Sequence, residues 1–280
     1  IILVLEVNAG ILVNAFIIFV AYRDFITTKT LSNSYKILVA LAFFNVCYGL
    51  LMWVGLLDYF CRFGIFTSIF TTYIFLYVLL FIISSCTWLT SNLGFFYFIK
   101  ISNFESGFFF WTRNNISSVV PWMLLVDLLL SLLWSFIALY IFNQKTFKNS
   151  TMTATDMTSK YQNQRIQFMN VVAPVTSRPF LIAIFTTTAS AVSLHLHNRR
   201  MKANMANTTN IRNYQSSVQT MVRLVIFYAL FYLVFIINGL GIFPNMSWEY
   251  WMCIIILFSF SLVQSALVIS GNPKLRETWK

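Results

Sequence analysis

Seven long apolar runs constrain this chain more than any other feature of its sequence. They cover residues 1–21, 35–57, 69–101, 116–142, 171–197, 217–241 and 249–271. A helix needs about 20 mostly apolar residues to cross the hydrocarbon core of a bilayer. Only 10% of the 280 residues are charged and 59% are hydrophobic, whereas a soluble domain carries about 25% charged residues. The pattern predicts an all-α membrane protein whose single domain, 1–280, is a bundle of seven transmembrane helices.

The form of the runs argues against two other membrane architectures. A transmembrane β-barrel shows alternating segments of about ten residues, but these runs are longer and do not alternate. No internal repeat is visible, which weighs against a transporter built from duplicated halves. The run at 69–101 exceeds the hydrocarbon thickness, so we expect its helix to tilt or to project from the membrane. The chain starts inside an apolar run without an initiator methionine, and we expect trimmed ends.

The basic residues predict the orientation. Most of the 19 lysines and arginines fall in connections that share one side, such as Arg23, Lys36 and Arg200, and fewer fall on the other, such as Arg62 and Lys145. Cytoplasmic connections carry the excess of Lys and Arg. We therefore expect a multi-pass protein of the plasma membrane, with the N-terminus outside and the C-terminal tail, 272–280, inside. Scattered cations of this kind do not predict a nucleic-acid partner.

The longest connection, 143–170, lies outside in this topology and contains the glycosylation sequon "NST" at Asn149. A second sequon, "NMS" at Asn245, lies close to the membrane, where modification is less favoured. The sequons at Asn115 and Asn207 fall on the cytoplasmic side. Because glycan is added only on the outer side of secretory membranes, we expect Asn149 to be modified and the cytoplasmic sequons to stay bare.

No catalytic residues, cofactor or metal site are predicted. The chain has 8 acidic residues, with no paired carboxylates and no Ser, His and Asp set at one depth. The cysteines show no disulfide or zinc spacing, and we expect buried free thiols: Cys47, Cys61, Cys86 and Cys253. Asp127 lies inside the fourth run and is a functional candidate because an intramembrane acid is costly. The alternative is an acid hydrogen-bonded between helices near Trp122 or Ser131.

Polar residues inside the other runs have a structural interpretation. Asn14, Asn45, Gln264 and Ser265 each lie among apolar residues. Such side chains commonly hydrogen-bond from helix to helix within a bilayer. We expect them to join helices, and the same bonds could repack if the bundle changes state.

Short motifs then occur in a recognisable order along nearly the whole chain: "GILVNAFI", "LVALAFFN", "FFYFIKISNF", "PFLIAIFTTTASAVSLHLHNRRM" and "GNPKL". Together they resemble the vertebrate bitter taste receptors, the type 2 taste receptor family of G-protein-coupled receptors. The chain departs from many mammalian members at Asn45, often Arg, and at Gln264, often His. Leu79, Ile83 and Ile254 replace positions that are often Trp, Asn or an acid. These departures favour a divergent member and leave a non-mammalian origin open.

The resemblance implies a receptor that senses small, mostly apolar or amphipathic bitter compounds. A binding site is expected between helices in the outer half of the bundle. The residues of this predicted site are largely apolar or aromatic: Leu76, Leu79, Leu80, Ile83, Ser84, Val175, Phe231, Phe235, Asn238, Trp251, Ile254 and Phe258.

The resemblance also implies activation of a gustducin-like heterotrimeric G protein. The C-terminal helix of its α subunit would enter the cytoplasmic end of the bundle, with apolar contacts at the centre and cations at the rim. The predicted coupling residues share that end: Tyr97, Lys100, Ile101, His197, Arg200, Met201 and Lys274. For the cations among them, the positive-inside bias alone is an equally simple explanation.

Two alternatives stay open at this point. A vomeronasal type 1-like chemosensory receptor fits "FYFIKISNF" and "GNPKL" less well. A small-solute transporter would favour symmetric helix breaks and several intramembrane charges, whereas Pro121 and Pro179 are not symmetrically placed and Asp127 stands alone.

Overall fold

A computed structural model describes residues 1–101, 107–149, 169, 173, 177–189, 191–193, 208–244 and 247–279. Within these ranges the chain is helical apart from short turns, and they contain no β-strand. The helices are α1 Ile2–Thr28, α2 Asn33–Cys61, α3 Ile69–Ile101, α4 Gly107–Asn114, α5 Ile116–Asn149, α7 Thr208–Leu240, α8 Trp248–Phe258, α9 Phe260–Gly271 and α10 Pro273–Trp279. Helical residues 177–189 and 191–193 belong to α6.

The described helices have the length and hydropathy of membrane spans. Five of them (α1, α2, α3, α5 and α7) are long and apolar enough to cross a bilayer, and the pair α8 and α9 together makes a sixth. The described residues of α6, 177–189 and 191–193, fall within the predicted run at 171–197. α5 continues to Asn149, past the predicted end at 142.

Large apolar side chains on α5 point away from the bundle. Trp122, Leu129 and Phe136 are each more than half exposed, whereas Ser131 and Ser135 on the other face are buried. A water-soluble helix would show the opposite distribution, because its apolar face would be the buried one. This outward apolar face is the one expected of a helix surrounded by lipid.

Helix ends follow from local sequence. α1 ends at Lys29, a left-handed residue with φ 59° whose N–H bonds to the carbonyl of Phe25. The motif "GNPKL" is a helix start, because Asn272 Oδ1 accepts the backbone N–H groups of Lys274 at 3.1 Å and Leu275 at 3.3 Å. Pro273 occupies the first helical position, where its missing N–H costs nothing.

Small residues let the helices approach closely. A Cβ on Gly271 would overlap the side chain of Thr220, so this glycine sets the contact between α9 and α7. A Cβ on Gly49 would lie 2.7 Å from Ile11, where α2 meets α1. Contacts between small residues of this kind replace the hydrophobic effect as the source of helix association in lipid.

The last span is bent by 45° between α8 and α9. Ser259 lies at the bend, and its Oγ donates to the carbonyl of Ile256 at 2.8 Å. The Tyr48 hydroxyl donates to the carbonyl of Leu257 at 3.0 Å, which satisfies a backbone group next to the break. Phe260, next to the bend, is buried. The bend therefore divides the span into two helices, and we call α8 the outer helix and α9 the inner helix after the orientation that the basic residues predict.

The cysteines are free, as expected, but they are not all buried. Cys86 and Cys253 are buried and Cys47 is half-buried, whereas Cys61 is exposed. The expectation for Cys61 was wrong because α2 ends at this residue, beyond the packed part of the bundle.

Candidate functional site

An aromatic cavity lies between α3, α6 and α7. Its seven lining residues are Ile83, Thr87, Phe180, Tyr228, Phe231, Tyr232 and Phe235, and we call it the aromatic cavity. Its free volume is about 20 Å³, enough for roughly one water molecule. A drug-sized ligand occupies a pocket of about 300–1,000 Å³. The rings therefore fill the site almost completely, and a ligand can enter only if they move.

Stacked rings close this cavity. Phe231 and Phe235 stack with centroids 6.5 Å apart, and Phe231 packs against Phe260 of α9 at 4.4 Å. On the α6 side, Phe180 stacks on Tyr232 at 5.9 Å. Each such contact contributes about 0.5–1.5 kcal/mol beyond the burial of its area. Ring contacts thus connect the cavity wall on α7 to the bend in the last span.

Every polar group that lines the aromatic cavity already has a protein partner. The Thr87 hydroxyl donates to the carbonyl of Ser84 at 2.8 Å, and the Tyr232 hydroxyl donates to the carbonyl of Ala173 at 2.7 Å. The Tyr228 hydroxyl is bonded to Thr90 and Gln264. The seven lining residues carry no charge. The surface presented to a ligand is therefore apolar and aromatic.

Below the cavity, three buried side chains join three helices. Gln264 Nε2 of α9 donates to the Tyr228 hydroxyl of α7 at 2.5 Å and to Thr90 Oγ1 of α3 at 3.0 Å. The Thr90 and Tyr228 hydroxyls lie 2.9 Å apart. We call these residues the polar triad. Because Tyr228 also lines the cavity, the triad connects the cavity to the inner half of the bundle.

A second set of buried bonds connects α1, α2 and α9. Asn14 Nδ2 donates to Ser261 Oγ at 3.0 Å, and Ser265 Oγ donates to Asn14 Oδ1 at 2.7 Å. Asn45 Nδ2 reaches the same Oδ1 at 3.3 Å. The prediction that these residues join helices is confirmed. Gly10 belongs to this contact, because a Cβ there would lie 3.3 Å from Ser261 Oγ.

The structure brings together three residues of the predicted ligand site, since Ile83, Phe231 and Phe235 line the aromatic cavity. Trp251 packs instead against Tyr59 at the end of α2, with centroids 6.4 Å apart. The other described members are buried or half-buried in the bundle without lining this cavity: Leu76, Leu79, Leu80, Ser84, Asn238, Ile254 and Phe258. Val175 lies outside the described residues.

Four lining residues did not enter the predicted site: Thr87, Phe180, Tyr228 and Tyr232. Thr87 lies one helical turn from Ile83, so a spacing of four along α3 points to it. Tyr228 stands three residues before the predicted Phe231 on α7, and this spacing also puts the two residues on one face. Phe180 carries no signal of this kind, because its place depends on how α6 crosses α3.

At the opposite end of the bundle, Tyr97 is half-buried and its ring contacts Phe96 edge-on, with centroids 5.5 Å apart. Lys274 Nζ lies 2.5 Å from Asp24 Oδ1 and 5.7 Å from the ring centre of Tyr35. Lys274 is thus engaged in joining α10 to α1. A cavity of about 560 Å³ opens at the same end and includes Phe96 and Arg113.

The remaining predicted coupling residues are only partly described. Lys100 and Ile101 form the end of α3, and their side chains are outside the description. His197, Arg200 and Met201 lie outside the described residues altogether, as do Asn207 and Asn245. Asn149 is the last residue of α5, again without a described side chain.

Comparison with known sequences matches the whole chain to one family. The family model described as Taste receptor protein (TAS2R) matches residues 1–280. Human taste receptor type 2 member 39 is 26% identical over 100% of this chain and 84% of its own length. Rat taste receptor type 2 member 143 is 26% identical over 97% of this chain and 93% of its own length. Human taste receptor type 2 member 2 is 22% identical over 98% of this chain and 92% of its own length.

Comparison with solved structures shows the fold. The crystal structure of squid rhodopsin superposes with a TM-score of 0.62 at 13% sequence identity, covering 99% of this chain and 81% of rhodopsin. At this identity the likeness concerns the fold alone, which is the seven-helix bundle of the G-protein-coupled receptors.

Proposed function

This chain belongs to the taste receptor protein (TAS2R) family, and from that premise we propose that it senses small, neutral or amphipathic bitter compounds in its aromatic cavity. The family is one of G-protein-coupled receptors, not of enzymes, and its members are multi-pass membrane proteins that respond to small molecules. Family membership also decides against the vomeronasal and transporter alternatives. Ligand class, G-protein subtype and membrane orientation remain proposals.

The chemistry of the cavity wall supports the ligand class. All of its polar groups are engaged within the protein, and its lining residues include no acid. A compact cation would lose its hydration there and find no counter-charge, at a cost of several kcal/mol. Aromatic faces return only about 0.5–2 kcal/mol per cation contact. The balance favours neutral and amphipathic agonists, with a diffuse cation that stacks on the rings as the exception.

Agonist entry requires rearrangement, because the cavity is nearly filled. A ligand that displaces Phe231 or Phe235 also disturbs the contact of Phe231 with Phe260. Phe260 in turn packs edge-on against Tyr228, with centroids 5.6 Å apart. We propose that this route carries the ligand signal to the polar triad, where α3, α7 and α9 meet. The ligand acts by binding the rearranged state more tightly than the closed state.

We propose coupling to a gustducin-like, Gi-type α subunit at the end of the bundle that holds Tyr97. The cation bias that supports an outer N-terminus also supports a cytoplasmic location for this end. Tyr97 is half-buried at that end, so part of its ring is accessible to a partner. Lys274 forms an ion pair with Asp24. It is therefore a poorer candidate for direct contact with the G protein than its position in the sequence indicates.

The single observation that carries the proposal is the uncharged aromatic cavity directly above a hydrogen-bonded triad. Its test is a dose–response panel of neutral amphipathic and compact quaternary ammonium compounds, with G-protein activation as the readout. We expect Phe235→Ala to weaken responses to both classes. Ile83→Asp should weaken responses to neutral agonists and improve those to cations.

Two control variants separate binding from folding. Phe136→Ala removes a ring of the same size from the outward face of α5, and Ile83→Val keeps an apolar side chain in the cavity. Both should respond as the wild type at matched surface expression. If Phe235→Ala and Ile83→Asp also keep wild-type potencies, agonists bind elsewhere and the aromatic cavity is not the ligand site.

A further inference from the structure

Polar residues follow one face of α3 opposite a similar face of α5. Ser84, Trp88 and Asn92 recur every fourth residue on α3, and Asp127, Ser131 and Ser135 do so on α5. Residues four apart lie on the same side of a helix. We call these six residues the polar seam. Neither the aromatic cavity nor the polar triad includes any of them.

One hydrogen bond sets the register of the seam. Asn92 Nδ2 donates to Asp127 Oδ2. α5 runs antiparallel to α3. A step of four residues covers about 6 Å along a helix, so four residues back on α3 and four residues forward on α5 reach the same level of the bundle. The next level therefore places Trp88 beside Ser131, and the level after it places Ser84 beside Ser135. The acid thus has an amide partner on α3, whereas Trp122, expected near it, faces outward and is 67% exposed.

The levels above Asp127 contain buried polar atoms without a protein partner. Trp88 Nε1, Ser131 Oγ and Ser84 Oγ make no hydrogen bond within the described part of the chain, and each is shielded from solvent. Ser131 is 0% exposed and Ser84 is 1% exposed. A buried donor or hydroxyl without a partner costs about as much as a lost hydrogen bond. Ser135, by contrast, donates to the carbonyl of Ser131 at 2.7 Å.

We propose that the polar seam binds an ordered water molecule between Trp88 and Ser131. The indole N–H is a donor only, whereas a serine hydroxyl both donates and accepts. One water accepts a hydrogen bond from Trp88 Nε1 and forms a second hydrogen bond with Ser131 Oγ. Its third partner is Ser84 Oγ, which lies one turn before Trp88 on α3. Buried waters typically make about three such bonds to otherwise unsatisfied groups.

The water gives the seam a continuous set of bonds across the α3–α5 interface. Asp127 and Asn92 hydrogen-bond directly at one level of the seam, and the water connects Trp88 to Ser131 at the next level. Within a bilayer no bulk water can satisfy these groups, so the bound molecule acts as part of the structure. Its predicted role is to hold α5 against α3, independently of which agonist the receptor recognises.

The first test compares two side chains of equal shape at position 131. Thr keeps the hydroxyl and Val replaces it by a methyl group. If water bridges to this position, the full-length receptor carrying Ser131→Thr melts about 2–4 °C above the one carrying Ser131→Val. The same pair at Ser135, whose hydroxyl already bonds to its own helix, should differ little. A Val variant at least as stable as the Thr variant overturns the proposal.

The second test detects the water itself. In receptor labelled with ¹⁵N-tryptophan, the Trp88 indole N–H should show a through-space cross-peak with water, and this peak is assigned by its loss in Trp88→Phe. The cross-peak should weaken in Ser131→Val and persist in Ser135→Val. Suppose that Ser131→Thr is more stable than Ser131→Val but the Trp88 cross-peak with water is missing. The Trp88 indole then bonds directly to the hydroxyl at position 131, and the water site is refuted.

Discussion

Removing the Tyr228 hydroxyl while keeping its ring isolates the contribution of the polar triad to the resting receptor. The Tyr228→Phe variant retains the edge-on contact with Phe260 and the wall of the aromatic cavity. It loses the bond from Gln264 at 2.5 Å and the bond with Thr90 at 2.9 Å. Gln264 keeps its own bond to Thr90 at 3.0 Å, so the link between α3 and α9 persists while α7 is released.

The magnitude follows from the two lost bonds. Hydrogen bonds between helices in a bilayer contribute about 0.6 kcal/mol each on average, and in proteins generally about 0.5–1.5 kcal/mol. Taking about 0.5–1 kcal/mol for each bond, near the bilayer average, the two together make about 1–2 kcal/mol. If the triad stabilises the closed state, a change of that size raises the population of the open state about 5- to 30-fold. Ligand-independent G-protein activation should rise by the same factor until it approaches the agonist-stimulated maximum.

The assay is basal signalling per receptor at the cell surface, with Tyr232→Phe as the matched control. That variant also removes one tyrosine hydroxyl from α7, but its partner is the carbonyl of Ala173 at 2.7 Å, not a residue of α3 or α9. It should leave basal activity near the wild-type level. Unchanged or lower basal activity in Tyr228→Phe, with surface expression intact, would refute the idea that the triad restrains the resting state.

Three further outcomes are expected. Tyr97→Ala should lower G-protein activation strongly while ligand affinity stays within several-fold, because Tyr97 lies about three turns beyond Thr87, the cavity residue nearest to it along α3; normal activation at equal expression would make it a packing residue only. Gly271→Ala should reduce surface expression because its Cβ overlaps the Thr220 side chain, including the Thr220 Cβ, and adding Thr220→Gly should restore it; a lack of rescue would contradict this contact. Asn149→Gln should abolish a glycosidase-sensitive mobility shift, and a shift that depends on Asn207 instead would invert the topology.

The fold and the family could be predicted from the sequence because both depend on patterns along the chain. Seven apolar runs predict a helical bundle regardless of how its helices rotate, and the order of the motifs indicates the family. The partners of individual polar residues could not be predicted in the same way. Asn14 and Asn45 were expected to join helices, and they do, but that Ser261 completes their contact depends on how α9 is rotated.

The candidate site shows the same limit. Ile83 and Phe235 line the cavity as predicted, whereas Leu79 does not. Leu79 lies on the same face of α3 as Ile83, so the prediction was right about the face but placed the site one turn too far along the helix. Tyr228 was missed because its polar hydroxyl did not suggest a wall residue. Its bonds to Thr90 and Gln264 are what allow its ring to face the cavity. Asp127 was identified as unusual, but its partner Asn92 became clear only from the helix register.

The bend at Ser259 has a consequence for how such a receptor can diversify. The inner helix, α9, is held to α1 through Ser261 and Ser265 and to α2 through the bond from Ser261 Oγ to the carbonyl of Asn45, so most changes there would disturb several helices at once. The outer helix, α8, has its own start at Ser247, whose Oγ accepts the N–H of Tyr250 at 3.2 Å. Substitutions in α8 can therefore accumulate without cost to the inner framework. The sequence of α8 can therefore change as the set of compounds that a receptor must recognise changes, while the sequence of α9 in the same span stays constant.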